Sequence, residues 1–265
     1  MIKFNKHPLQ KTFSIIKLLP NFLTLMALTI GLNSFKMALD GNWEKAVGCI
    51  IIAAIVDTLD GKLARLLDAT SSFGAELDSL CDFINFGVCP VFVMYLWLYN
   101  VLPISFLWSS IVIYAICMAI RLARFNTNLE NPSKILKLFF IGVPAPAGAI
   151  LVLMPLILSF DILQDLSIDY TQYVLLIPFY IISVGALTSS TIPTFALKNV
   201  YIKREYVWIV MLIFGIVALE MFLHPWYAIP LLSIIYCASI VMSFFAAKKI
   251  SKQEANNPPQ DNSSP

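Results

Sequence analysis

The sequence predicts an all-α integral membrane protein of about eight transmembrane helices, and three observations predict it. Of the 265 residues 59% are hydrophobic and only 13% charged, with a mean hydropathy of +0.80. The apolar residues gather into runs close to the roughly 20 that a bilayer requires, and no polar stretch between them is long enough for a soluble domain. Lysine and arginine collect in alternate loops, as they do in polytopic membrane proteins. A net charge of +2, with no basic patch interleaved with aromatics, argues against a nucleic-acid partner.

In chain order, residues 1–18 carry Lys3, Lys6, Lys11 and Lys17 among Ile2, Phe4, Phe13, Ile15 and Ile16. This pattern predicts a short interfacial helix, begun near Pro8 and lying on the membrane surface. No small-residue cleavage site follows it, so it is expected to be retained. Residues 19–247 form one transmembrane domain, with apolar spans at 19–39, 44–66, 73–99, 104–123, 142–160, 171–190, 206–223 and 226–247. Pro155, Pro178 and Pro230 fall within spans, where a missing N–H kinks a helix. Residues 248–265 are polar and rich in proline and asparagine, and read as a disordered cytoplasmic tail. Cysteines 49, 81, 89, 117 and 237 lie in or beside apolar runs without metal-ligand spacing, so they read as packing residues.

Orientation follows from the positive residues. With the N-terminus inside, only Lys36 and Lys45 of the 18 basic residues face outward. The loop holding Asp161, Asp165 and Asp169 has no basic residue and also falls outside. Both termini are therefore expected in the cytoplasm.

The chemistry is concentrated between residues 57 and 82. In an otherwise apolar setting this stretch holds Asp57, Asp60, Asp68, Asp78, Asp82, Glu76, Lys62 and Arg65. Charges at membrane depth are expensive and mark function. Asp57, Asp60, Gly61, Ala64 and Arg65 share one helical face; Gly74, Asp78 and Asp82 share one face of the next helix. Residues 66–73 between them read as a turn and a helix start. Four facing carboxylates repel unless cations hold them together. Oxygen ligands with no His or Cys nearby suit Mg²⁺, Mn²⁺ or Ca²⁺ better than zinc. Two such ions are a common device for handling a phosphoryl group. The other readings are buried aspartates paired with Lys62 and Arg65 for helix packing, and an ion-transport site. Neither needs Gly61, Gly74 and Arg65 at these offsets. A divalent-cation carrier would also need ionisable groups along a path to both surfaces, whereas here they crowd at the cytoplasmic end.

The full spacing, D-x2-D-G-x2-A-R-x8-G-x3-D-x3-D, resembles that of the CDP-alcohol phosphotransferases, a family of integral membrane enzymes, at every motif position. The resemblance implies transfer of a phosphoryl-linked group from a CDP-linked donor to an alcohol, with release of CMP, at the cytoplasmic end of the bundle. It implies Asp57, Asp60, Asp78 and Asp82 as ligands of two divalent cations, Mg²⁺ or Mn²⁺ with Ca²⁺ a further possibility, and Asp82 also as the catalytic base. It implies donor contacts from Gly61, Ala64, Arg65, Ser71 and Gly74. Asn21 and Thr24, in the PNFLT entry to the first span, match another nucleotide-side feature of the family; alternatively Asn21 is simply a helix cap. A homodimer in a bacterial inner membrane, among membrane lipids, is expected by the same analogy.

The acceptor is read elsewhere. RLARFN at 121–126, FFIGVPAPAGA at 139–149, GAELDSLCDFINFGVCP at 74–90 and STIPTFALKN at 190–199 resemble the phosphatidylserine synthase branch. That branch joins CDP-diacylglycerol to the hydroxyl of L-serine in phospholipid biosynthesis. Serine is a zwitterion, so its site needs a cation for the carboxylate and acceptors for the ammonium. Arg121 and Arg124 are candidates for the first, Glu76 and Asn85 for the second. The alternative acceptors are glycerol 3-phosphate, inositol phosphate and choline.

Overall fold

The computed structural model describes residues 15–130, 139–167, 170–191, 193–195 and 203–256. It opens with an antiparallel hairpin of two long helices, α1 (Leu19–Leu39) and α2 (Trp43–Leu66). The face that α1 buries is Thr24, Ala27, Gly31, Ser34 and Ala38. Small residues three and four apart let two helix backbones approach closely, which is how helices associate where water supplies no driving force. The tight connection turns at Gly41, whose φ of +74° suits a residue without a Cβ.

A second rod follows. α3 (Ser72–Asp82) runs without interruption through a π-helical turn, Phe83–Val88, into α4 (Cys89–Leu98). Pro90, in the first turn of α4, has no N–H to give to the carbonyl one turn behind it. That carbonyl, on Phe86, accepts instead from the wholly buried Tyr114 hydroxyl at 3.1 Å. Tyr114 belongs to α5 (Ile104–Glu130), which packs along α9 (Ile177–Ser189). The closeness of that pair depends on Gly185, where a Cβ would stand 3.1 Å from the Tyr114 Cα. The core between these elements is built from Phe86, Met94, Leu107, Met118, Leu156 and Ile181.

The fold is helical, as expected, with departures in detail. Among the described residues, five helices are long and apolar enough to cross a bilayer: Leu19–Leu39, Ser72–Leu98, Ile104–Thr127, Arg204–Leu223 and Pro225–Ser243. α2 matches them in length but carries the motif's charges. The span expected at 142–160 is broken at Leu153 into α6 (Ala145–Val152) and α7 (Met154–Leu158), followed by α8 (Ile162–Asp165). The span expected at 171–190 begins as a 3-10 helix, Tyr170–Leu176, before α9. Pro155 and Pro178 each sit in the first turn of a helix, where a missing N–H is tolerated, so they start helices and do not kink them. Pro230 does lie inside a helix, α11 (Pro225–Asn256), which α10 (Val207–Leu223) precedes.

Two short strands, β1 (Phe139–Ile141) and β2 (Pro193–Phe195), pair antiparallel and join the stretches before α6 and after α9. Of the expected interfacial segment, the 3-10 turn Ile15–Leu18 is seen; residues 1–14 lie outside the described residues. α11 continues to Asn256, so the stretch expected as a tail from 248 begins as helix. Its remainder also lies outside the described residues.

Candidate active site

α2 and α3 bring the motif together as their spacing predicts. One carboxylate oxygen from each of Asp57, Asp60 and Asp78 lies within 4.8 Å of the other two. Ligand oxygens around an Mg²⁺ or Mn²⁺ ion with bonds of about 2.1 Å stand about 3 to 4 Å apart, so this trio has the right donor type and is gathered nearly as closely as such an ion requires. Asp60 is only 2% exposed, and Asp57 and Asp78 are half-buried. Among the described residues no lysine or arginine pairs with any of them: the ion pairs are Lys36–Asp40 and His224–Glu220. Lys62 and Arg65 are exposed. The packing alternative, which needs those two residues as partners, therefore fails. Three clustered carboxylates without a basic neighbour fit a divalent cation.

Asp82 stands beside this trio and not within it. Its carboxyl lies within hydrogen-bonding reach of Asp57. One oxygen of each, Asp57 Oδ1 and Asp82 Oδ1, is buried without a hydrogen-bond partner among the described residues. The π-helical turn begins at the next residue. Such turns are frequent at functional sites, because they re-aim the side chains on either side.

The residues expected around the donor divide into two groups. Gly61 faces open space: a Cβ there would meet no atom within 4 Å. At Gly74 the missing Cβ makes room for protein, since a Cβ would stand 3.0 Å from Asn21 Oδ1 and 3.1 Å from Ser71 Oγ. Ser71 is the N-cap of α3, its Oγ accepting from the Gly74 N–H at 3.0 Å. That leaves the hydroxyl proton free to be donated. Asn21 is not the cap of α1, a position that Leu18 holds; its side chain closes on Gly74. Thr24 Oγ1 lies 2.6 Å from Asp60 Oδ2 and 3.1 Å from the Pro20 carbonyl. Thr24 thus holds a member of the carboxylate trio. Ala64 is half-buried on the same helix as Gly61.

The acceptor candidates separate more sharply. Asn85 is fully buried, and both polar atoms of its side chain lack partners among the described residues. It is pressed against Gly31, where a Cβ would come within 2.1 Å of its Oδ1. Glu76 is exposed on α3. Arg124 Nη1 donates to the Ser189 carbonyl at 2.7 Å, tying α5 to the end of α9. Arg121 Nε donates to the Val143 carbonyl at 2.6 Å, and its charge lies within electrostatic range of Asp82 without forming an ion pair. Among the described residues its terminal nitrogens make no hydrogen bond. Of the two arginines, Arg121 is the one brought toward the carboxylates.

Two features were not legible in the sequence. Asn126 Nδ2 donates to Ser79 Oγ at 2.8 Å, linking the end of α5 to α3. Tyr236, on α11, lies within electrostatic range of the Arg121 charge, as does Tyr114. It is one of ten tyrosines in the chain, and nothing in its flanking sequence sets it apart.

Known proteins include relatives of this chain. The family model for CDP-alcohol phosphatidyltransferase matches residues 17–184. A Mycobacterium bovis protein named CDP-diacylglycerol–serine O-phosphatidyltransferase is 33% identical over 227 residues, covering 85% of this chain and 77% of its own. A Methanocaldococcus jannaschii protein of the same name is 34% identical over 215 residues, 73% of this chain and 95% of its own. A third, from Helicobacter pylori, is 39% identical over 145 residues, 54% of this chain and 58% of its own. The matched region contains the whole of the carboxylate trio, Asp82 and Arg121, and on these grounds the chain belongs to the CDP-alcohol phosphatidyltransferase family.

Proposed function

We propose that this protein transfers the phosphatidyl group of CDP-diacylglycerol to the hydroxyl of L-serine, giving phosphatidylserine and CMP. The observation that carries the reading is the trio of Asp57, Asp60 and Asp78, which has no basic partner among the described residues, with Asp82 on one side and the Arg121 charge in range of it. The shared name of the relatives supports serine as the acceptor.

Asp57, Asp60 and Asp78, with Asp82 beside them, would hold Mg²⁺ or Mn²⁺, which when bound would neutralise the diphosphate and stabilise the departing CMP. The remaining work falls to the chain itself. The open face at Gly61 admits the nucleotide to the helix backbone. Arg65, exposed at the end of α2, offers paired donors to the diphosphate. The free hydroxyl proton of Ser71 adds another. Arg121, held at Nε by Val143, presents its terminal nitrogens to the serine carboxylate as a fork. This places the serine hydroxyl toward Asp82, which takes its proton as the oxygen attacks phosphorus; the bond to the CMP oxygen breaks on the opposite side. The orphaned oxygen on Asp82 is the atom assigned to that proton. A carboxylate among metal ligands is a weak base, so orientation and charge neutralisation supply most of the rate. A homodimer in a bacterial inner membrane, with the site and both termini in the cytoplasm, completes the reading.

The test is CMP release by detergent-purified protein given CDP-diacylglycerol, L-serine and Mg²⁺ or Mn²⁺. Turnover should vanish with a chelator and return with the metal. Asp82→Asn should stay folded and lose activity by about 10²- to 10⁴-fold. Normal turnover in that variant would remove Asp82 as the base.

A further inference from the structure

α3 carries Asp78 and Asp82, yet of its 11 residues only Cys81 is buried. The other helix of the carboxylate cluster, α2, packs along α1 and buries Ala46, Val47, Ile50, Ala53 and Asp60. The trio therefore joins a firmly seated helix to a thinly packed one. A helix with so few buried residues depends for its position on the specific contacts it does make. It lies against α1, with Gly74 closed on Asn21. A second tie comes from α5, where Asn126 Nδ2 donates to Ser79 Oγ at 2.8 Å between two half-buried side chains.

Ser79 follows Asp78 directly and precedes Asp82 by three residues, close to one helical turn. A hydrogen bond here acts on the stretch of α3 that lies between its two carboxylates. The anchor is itself fixed. Arg121 Nε and Arg124 Nη1 tie the same end of α5 to the Val143 and Ser189 carbonyls, at 2.6 and 2.7 Å. An amide also suits the place chemically. It holds the helix without bringing a charge, whereas a lysine or arginine there would pair with the aspartates and oppose a bound cation. We infer that Asn126 is a positioning residue, which through Ser79 holds Asp78 at its working separation from Asp57 and Asp60 on α2. The inference rests on the cation reading of the trio given above and extends the support of that site to α5.

The experiment uses full-length Asn126→Ala, Ser79→Ala and the double variant in detergent, without substrates. Mn²⁺ binding is followed by the electron paramagnetic resonance of the free ion, and amide hydrogen exchange by mass spectrometry. Alanine is the better helix former at both positions, so neither change weakens a helix through propensity. Losing a hydrogen bond of ordinary net strength should weaken Mn²⁺ binding by about 3- to 10-fold in each single variant. The double variant should bind no more weakly than either single one, because both changes remove the same contact. Exchange should quicken by about 2- to 10-fold within α3 and stay unchanged in α1 and α2. Unaltered Mn²⁺ binding in either single variant would overturn the inference. So would losses that multiply in the double variant, which would separate Asn126 from Ser79, or faster exchange throughout the bundle, which would mark a general packing role. If the unaltered protein bound no Mn²⁺, the cation reading itself would fall; that result differs from normal binding which neither substitution disturbs.

Discussion

Thr24 has one hydroxyl proton and two acceptors within reach, and the 2.6 Å contact to Asp60 is the shorter. A charge-assisted hydrogen bond of this kind fixes the carboxylate's rotamer, and through it the position of a candidate metal ligand. Thr24→Val keeps the shape and removes the bond. It should raise the Mg²⁺ or Mn²⁺ concentration needed for half-maximal CMP release by about 10- to 100-fold; an unchanged metal titration would show that Asp60 is held by other contacts. At this scale the aspartates were legible in the sequence because helical spacing alone puts them on facing sides. The target of Thr24 was not legible, since its partner lies on a different helix and only packing of α1 on α2 brings the two together. The burial of Asn85 was not legible for a related reason. Its type suits an ammonium, but the missing Cβ at Gly31 draws it into the bundle.

Gly31 and Gly61 show how the same residue type serves two purposes within adjacent helices. At Gly31 a Cβ would collide with the sealed Asn85 at 2.1 Å, so Gly31→Ala must push α1 away from the π-helical turn. It should lower stability by about 1 to 3 kcal/mol, read as a lower unfolding temperature. At Gly61 a Cβ meets nothing within 4 Å, and alanine is the better helix former by up to about 1 kcal/mol. Gly61→Ala should therefore leave the unfolding temperature equal or higher while raising the KM for CDP-diacylglycerol. Destabilisation at Gly61, or a tolerant Gly31, would reverse this assignment. The hairpin of α1 and α2 and the rod through α3 and α4 were visible in the sequence as apolar runs of spanning length. The breaks at Leu153 and Leu176 were not, because apolar composition continues across them and only the backbone changes. The β1–β2 pairing joins segments distant in the chain, which no local pattern reports.

For the molecule as a whole, charge and geometry point to the same arrangement. The α1–α2 turn carries Lys36 paired with Asp40, while the motif lies at the far end of that hairpin. Tyr227 of α11 donates to Asp165 of α8 and links these two helices. If the basic residues set the orientation, a reporter active only outside the cytoplasm should work when inserted at 40–42 and fail when fused after Asn256; the reverse pattern would place the carboxylates on the outer surface, away from a cytoplasmic nucleotide. What composition could not supply at this scale is the acceptor, which in the proposed reading is met by Arg121 of α5, held at Nε by the Val143 carbonyl. The measurement that tests the account most directly is therefore CMP release from CDP-diacylglycerol with L-serine, glycerol 3-phosphate, inositol phosphate and choline offered separately to the purified protein. Release with serine alone is the result expected from an arginine fork facing a carboxylate base; release with a different acceptor and none with serine would contradict it.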